Sequence, residues 1–212
     1  APLVEKVSFA SFGDMDSLRS VIDEDTAFII LEPIQGESGI VVAPDGFLQE
    51  VRKLCDEKGI LLVFDEIQAG LGRTGRLWAG EHWNTVPDIL CLAKGIAGGV
   101  PMGATLVKPG ILAAISKGEH SSTFGGNPIS CAAGIAALTS LTEDGLIENS
   151  KNMGEMFRQG LEKLKEKHTM IREIRGKGLM IGIEMKFEVK DILMGLIQEG
   201  VLMLYSGRNI LR

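Results

Sequence analysis

Short unbroken apolar runs alternate with stretches of helical spacing along most of the chain. AFIIL at 27–31, ILLVF at 60–64 and ILCLA at 89–93 show no polar alternation, the mark of strands buried on both faces. Residues 44–58 carry Phe47, Val51, Leu54 and Cys55 on one helical face and stop at Gly59. Strand, helix and strand in that order form a βαβ unit, which predicts a parallel sheet. A short helix is predicted over 14–23, and ATLV at 104–107 reads as a short strand antiparallel to its neighbour. A short helix is predicted over 109–117, then an Ala-rich buried helix over 129–141. Residues 145–167 form a long amphipathic helix with Met153, Met156, Phe157, Leu161 and Leu164 on one face, as core or interface filler. From residue 171 the pattern changes to strands at 171–175, 179–185 and 201–204, with a helix over 189–198. The division predicted is therefore a large unit over 1–145, a connecting helix over 146–168 and a small α+β unit over 169–212.

Composition narrows the class. The chain has 212 residues, 45% of them hydrophobic, so it can bury a sizeable core. A net charge of −6 favours neither nucleic acid nor an anionic membrane. Cys55, Cys91 and Cys131 are scattered without a CxxC pair, which predicts a reducing compartment and no disulfide framework. His82, His120 and His168 share no metal-ligand spacing, so no metal is predicted and they read as loop or surface residues. With no apolar stretch near 18 residues and no leader pattern, a cytoplasmic location is expected. The absence of an initiator Met and the strand-like ending at Arg212 suggest a C-terminal portion of a longer protein.

Candidate chemistry sits at the strand ends. Asp65, Glu66 and Gln68 follow the run at 60–64, Lys94 follows the run at 89–93, and Glu32 and Glu37 follow the run at 27–31. Open α/β sheets place their ligand chemistry beyond the carboxyl ends of strands. An isolated Asp there is ordinarily a helix cap or turn former, and an isolated Lys is ordinarily solvated. Together, a lysine beside apolar surface and a nearby carboxylate suit Schiff-base chemistry. GLGRTG at 70–75 fits G-x-G-x-x-G, but DEIQA separates it from the strand and RLWAGEHW does not read as a helix face. Those glycines mark a loop, and hydride transfer on it is the remote alternative. HSSTFGGNP at 120–128 offers hydroxyls and free N–H groups that can cradle a phosphate, or is a plain loop.

Five segments in order then resemble one family: LEPIQGESG at 31–39, LLVFDEIQAGLGRTG at 61–75, PDILCLAKGIAGGVPMG at 87–103, STFGGNP at 122–128 and RGKGLMIGIE at 175–184. Together they are similar to class III (subgroup II) pyridoxal-phosphate aminotransferases. The ending over 200–212 resembles the acetylornithine branch and its relatives that act on carrier-protein-bound lysine precursors. The resemblance implies an α/β, fold type I PLP-transferase: a mostly parallel large domain, here incomplete, with a small C-terminal α+β domain. It implies pyridoxal 5′-phosphate as cofactor, with Lys94 as the cofactor-linking amine and proton-moving base. Asp65 would face the ring nitrogen, Gln68 the ring hydroxyl, and Thr123 the phosphate of a partner subunit in a homodimer with shared sites. Arg212 would grip the substrate carboxylate, Ser122 would lie on the substrate side, and Glu37 would gate Arg212. Two unit charges about 4 Å apart at an effective dielectric near 20 interact by roughly 4 kcal/mol, enough to keep a ring nitrogen protonated opposite Asp65.

The implied reaction moves a terminal amino group from an N-acylated ornithine- or lysine-type donor to 2-oxoglutarate, in arginine or lysine biosynthesis, with an amino-group carrier protein as a possible partner. Other class III chemistries, namely ornithine or γ-aminobutyrate transamination, an aminomutase or a decarboxylase, stay open, as does an inactive scaffold relative. Phe124 stands where many members have tyrosine, and Ala69 where many have threonine. The family's phosphate loop and ring-stacking aromatic have no counterpart in residues 1–59.

Overall fold

The computed structural model describes residues 5–119 and 121–212; the expectation for His120 lies outside the described residues. α1 (Met15–Ser20) is capped by Asp14, whose carboxylate accepts from the N–H groups of Asp16 and Ser17. β1 (Phe28–Leu31) is followed by a small hairpin, β2 (Ile34–Gln35) and β3 (Val41–Val42). α2 (Phe47–Lys58) ends at Gly59, whose φ of 68° lets its N–H return to the Cys55 carbonyl. β4 (Leu61–Asp65), a 3-10 helix at Ala79–Trp83 and β5 (Ile89–Leu92) come next. A second 3-10 helix at Lys94–Ala97 leads to β6 (Ala104–Val107), α3 (Pro109–Leu112), α4 (Pro128–Glu143) and α5 (Leu146–Lys167). The last part holds β7 (Ile171–Lys177), β8 (Met180–Met185), α6 (Lys190–Gln198), β9 (Tyr205–Ser206) and β10 (Ile210–Leu211).

The first sheet has the order β1-β4-β5-β6, with β1, β4 and β5 parallel and β6 antiparallel to β5. That is the mostly parallel sheet the apolar runs predict. β4 lies between two partners and buries Leu62, Val63 and Phe64, so its unbroken apolar run is physically required. α2 covers one face of the sheet, packing Phe47, Leu48, Val51, Leu54 and Cys55 into the same core as Ile29, Leu62, Phe64 and Leu90. Asp88 staples this layer. Its carboxylate accepts from Leu62 N (2.8 Å), Arg52 Nη1 (2.7 Å) and Lys108 Nζ (2.7 Å), joining β4, α2 and the end of β6. Desolvation works against the ionised form, but those hydrogen bonds win and hold the Asp88 carboxyl down at about 2.

The second sheet has the order β7-β8-β10-β9 and is antiparallel throughout. It packs Ile174, Ile183, Met185, Val189 and Leu211 with Leu161 of α5. α5 meets the β7–β8 turn so closely that a Cβ at Gly154 would collide with the Gly178 carbonyl.

Several expectations are corrected. β1 is not buried on both faces: Phe28 and Ile30 are exposed, while Ile29 is buried and Leu31 partly so. The helix expected at 129–141 exists as α4 but is not buried, since Ile129, Ile135 and Leu138 are exposed. On α5, Leu161 is buried while Met153, Met156, Phe157 and Leu164 are exposed, so of core or interface filler only the core reading is corrected for them. An apolar face in a sequence shows what a segment can cover, not whether this chain supplies the cover. The helix expected over 109–117 stops at Leu112. Residues 201–204 are irregular, with Leu202 exposed, and the strand pair instead flanks Gly207 as β9 and β10. His82 is half-buried rather than a surface residue, its ring bonded to Thr74.

Candidate active site

Parallel pairing of β4 with β5 brings two chemistries to one rim. Asp65, the last residue of β4, stands opposite Cys91, and Lys94 lies three residues beyond Cys91. Three extended residues and one strand spacing bound the Asp65 to Lys94 Cα separation at roughly 11 Å. Asp65 is aimed by its own turn: Oδ1 accepts from Ile67 N at 3.0 Å, and the next residue, Glu66, donates its N–H to the Cys91 carbonyl at 3.0 Å. Oδ2 of Asp65 has no hydrogen-bond partner among the described residues. Lys94 opens its 3-10 helix with a φ of 45°, a left-handed conformation rare outside glycine. Strain of this kind costs on the order of 1–3 kcal/mol and persists where the surroundings enforce it, commonly at functional sites. Lys94 itself is exposed at the rim.

Glu66 points the other way. It is 1% exposed and accepts from Ala79 N (2.6 Å) and Gly80 N (2.8 Å), fastening the 3-10 helix to the end of β4. Desolvation dominates the two hydrogen bonds and pushes its carboxyl up to about 7. Adjacent carboxylates thus face opposite environments, as successive side chains at the end of a strand alternate in direction.

The loop after β1 supplies the remaining groups. Glu32 Oε2 accepts from Gly36 N at 2.9 Å. Partial burial, with Asp65 and Glu37 nearby, raises the Glu32 pKa against the Gly36 bond and the charge of Lys94. Glu37 and Arg212 form a two-pronged pair, Nη1 to Oε1 at 2.8 Å and Nη2 to Oε2 at 2.7 Å. Gln68 Nε2 also donates to Glu37 Oε1 at 3.0 Å, and Arg212 followed by Gln68 holds the Glu37 carboxyl below its ordinary value. Arg212 comes from the far end of the chain because β10 pairs with both β8 and β9. Its side chain is 14% exposed and Glu37 is 69% exposed, so the arginine is fixed and the glutamate can move. Arg212 Nε is buried without a partner among the described residues.

Asp65, Gln68, Lys94, Glu37 and Arg212 are therefore gathered at one rim. Ser122 and Thr123 are not gathered with them. They lie on an exposed loop ahead of α4, and among the described residues their side chains make no hydrogen bond to that group. Arg175 and Ser206, which grip the loop carrying Glu37, were missed because only the tertiary fold brings them there. A cleft of about 420 Å³ lined by Trp78, Pro87, Leu90, Leu106 and Pro109 lies elsewhere, between the first 3-10 helix, the 85–88 loop and the β5–β6 pair, and neither Lys94 nor Arg212 lines it. Among the described residues no cluster could hold a metal, and no helix is long and apolar enough to cross a membrane.

A mostly parallel sheet with a lysine and a carboxylate on neighbouring strand tips defines a class, and the comparisons agree. The family model described as aminotransferase class-III matches residues 5–212, and the chain belongs to that family. It is 44% identical over its full length to an acetylornithine aminotransferase of Caldanaerobacter subterraneus, covering 54% of that protein. It is 43% identical, again over its full length, to ornithine aminotransferase 1 of Staphylococcus saprophyticus, covering 53% of it. A crystal structure of ornithine aminotransferase from Toxoplasma gondii superposes with a TM-score of 0.96 at 36% identity, covering all of this chain and 52% of that one. The chain thus spans about half the length of the relatives it matches.

Proposed function

We propose that this chain carries the cofactor-linking and substrate-gripping groups of a pyridoxal-phosphate aminotransferase acting on a terminal amine, with an N-acylated ornithine- or lysine-type donor and 2-oxoglutarate as acceptor. The observation that carries this reading is the meeting of Lys94, Asp65 and the Glu37–Arg212 pair at one sheet rim. The residues fit the cofactor: Asp65 keeps one carboxylate oxygen unpartnered among the described residues, and Lys94 is held at the rim in a strained conformation. When bound, pyridoxal phosphate supplies an electron sink conjugated to the carbon that bears the amine. Lys94 Nζ would link the cofactor and would move the proton at that carbon. Asp65 would hold a proton on the ring nitrogen, and Gln68 would hydrogen-bond the ring's hydroxyl.

Arg212 grips the carboxylate of the keto-acid acceptor with its planar fork. Glu37 covers that fork while a terminal amine reacts and turns away for the acceptor. Thr123 and Ser122, which make no hydrogen bond to this group among the described residues, would serve a second copy in a homodimer with shared sites. Residues 1–145 then belong to the cofactor domain, 146–168 to a connecting helix and 169–212 to the small domain. Arginine or lysine biosynthesis in the cytoplasm is the setting that fits such a donor, and a carrier protein would suit a lysine-type one. Free ornithine is a second reading, supported by the relative named as an ornithine aminotransferase. Incubation with pyridoxal phosphate followed by borohydride should add one pyridoxyl-phosphate mass to the peptide containing Lys94. A Lys94→Ala protein that still takes up that mass would overturn the assignment, and an amino-donor profile separates acylornithine from ornithine.

A further inference from the structure

The loop that carries Glu37 is held down from one side. The Gly36 carbonyl accepts from Arg212 Nη1 (3.4 Å), the Glu37 carbonyl from Ser206 Oγ, and the Gly39 carbonyl from Arg175 Nε (2.9 Å). All three donors belong to the second sheet or its end. Arg175 is itself locked: its Nη1 donates to Glu173 Oε2 and Glu184 Oε2, each at 2.7 Å. Ser206 is 5% exposed. The loop lies so flat on the sheet that a Cβ at Gly39, where φ is 100°, would run into Ile210. Ile40 follows with φ at 58°, which is rare for a β-branched residue, and it is 4% exposed. Such a conformation survives only where neighbours over-determine it. The Glu37 side chain, by contrast, projects outward and is 69% exposed.

We propose that Arg175 and Ser206 are positioning residues for Glu37: they pin the backbone of residues 36–40 to the second sheet, so that Glu37 leaves Arg212 by side-chain rotation with its backbone held still. This rests on the reading of Glu37 as a gate. A pinned backbone returns the carboxylate to the same place after each half-reaction. A loose loop would let the whole segment drift away and leave Arg212 open to any carboxylate.

The test uses the protein loaded with pyridoxal phosphate and two variants, Ser206→Ala and Arg175→Lys; the lysine keeps the charge beside Glu173 and Glu184 but loses the Nε donor. Amide exchange at Gly39 and Ile40, both bonded to the Gly36 carbonyl, should speed up roughly five- to tenfold in each variant, as one lost hydrogen bond predicts. KM for the keto-acid acceptor should change while kcat of the amine half-reaction stays within about twofold. Unchanged exchange at Gly39 and Ile40 in both variants would overturn the clamp. Faster exchange without any change in acceptor KM would also overturn it, because the loop would then be pinned without serving Glu37. Glu37→Gln tests the gate separately: if it leaves acceptor and donor discrimination unchanged, the gate reading fails while the exchange result still decides whether the loop is pinned.

Discussion

Glu66 gives the sharpest stability prediction. Its carboxyl is buried, bonded to two backbone N–H groups, and shifted from an ordinary value of 4.5 to about 7. The folded protein therefore holds a proton that the unfolded chain has released, and the group lowers stability as pH rises from near 4.5 to near 7. Between pH 5 and pH 7.5 the loss amounts to roughly 2 kcal/mol by linkage. Glu66→Gln removes the titration while keeping one oxygen acceptor for Ala79 N or Gly80 N, at a pH-independent cost of about 1–3 kcal/mol for the donor left facing an amide NH2. Urea unfolding of both proteins at pH 5 and pH 7.5 isolates the effect, since every other titrating group is common to the two. The stability difference should move by roughly 2 kcal/mol in favour of the variant at the higher pH, or about 1 M in urea midpoint for a slope near 2 kcal/mol/M. Parallel pH profiles would refute the argument that burial dominates at Glu66.

Four further outcomes follow from the same geometry. Asp88→Ala leaves the Leu62 N–H and Arg52 Nη1 without their acceptor while Arg52 keeps its pair with Asp56, and thermal or urea unfolding should report a loss of about 1–3 kcal/mol. Because the Asp88 carboxyl lies near 2, below its ordinary 3.8, its stabilisation should be complete above pH 4 and fade only as pH falls toward 2. Gly154→Ala should destabilise by about 3 kcal/mol despite the better helix propensity of alanine, because the new methyl meets the Gly178 backbone; a gain in midpoint temperature would contradict the contact. Arg212→Lys keeps the charge but not the fork, and acceptor KM should rise at least tenfold in steady-state assays with little change in donor KM.

Much of this was legible one residue at a time. The run at 60–64 had to be an interior strand, because five apolar residues without alternation suit a strand covered on both faces. Its polar follower Asp65 and the matching Lys94 then had to share a rim, since parallel strands end on the same side. The similar run at 27–31 misled, because its composition matches β4 while it lies at the sheet edge with Phe28 and Ile30 uncovered among the described residues. The buried reading of α4 failed because nothing among the described residues covers Ile129, Ile135 and Leu138.

The sequence alone determined the alternation of strands and helices, the parallel sheet and the pairing of an acid with a lysine at its tips, because those depend on periodicities of two to four residues and on chain direction. Tertiary structure alone decided that Arg212 reaches Glu37 across a separation of 175 positions, that Arg175 and Ser206 hold the loop between them, and that Glu66 turns inward while Asp65 turns outward. Those outcomes depend on how the second sheet docks against the loop after β1, and no local pattern encodes the approach of two surfaces so distant along the chain.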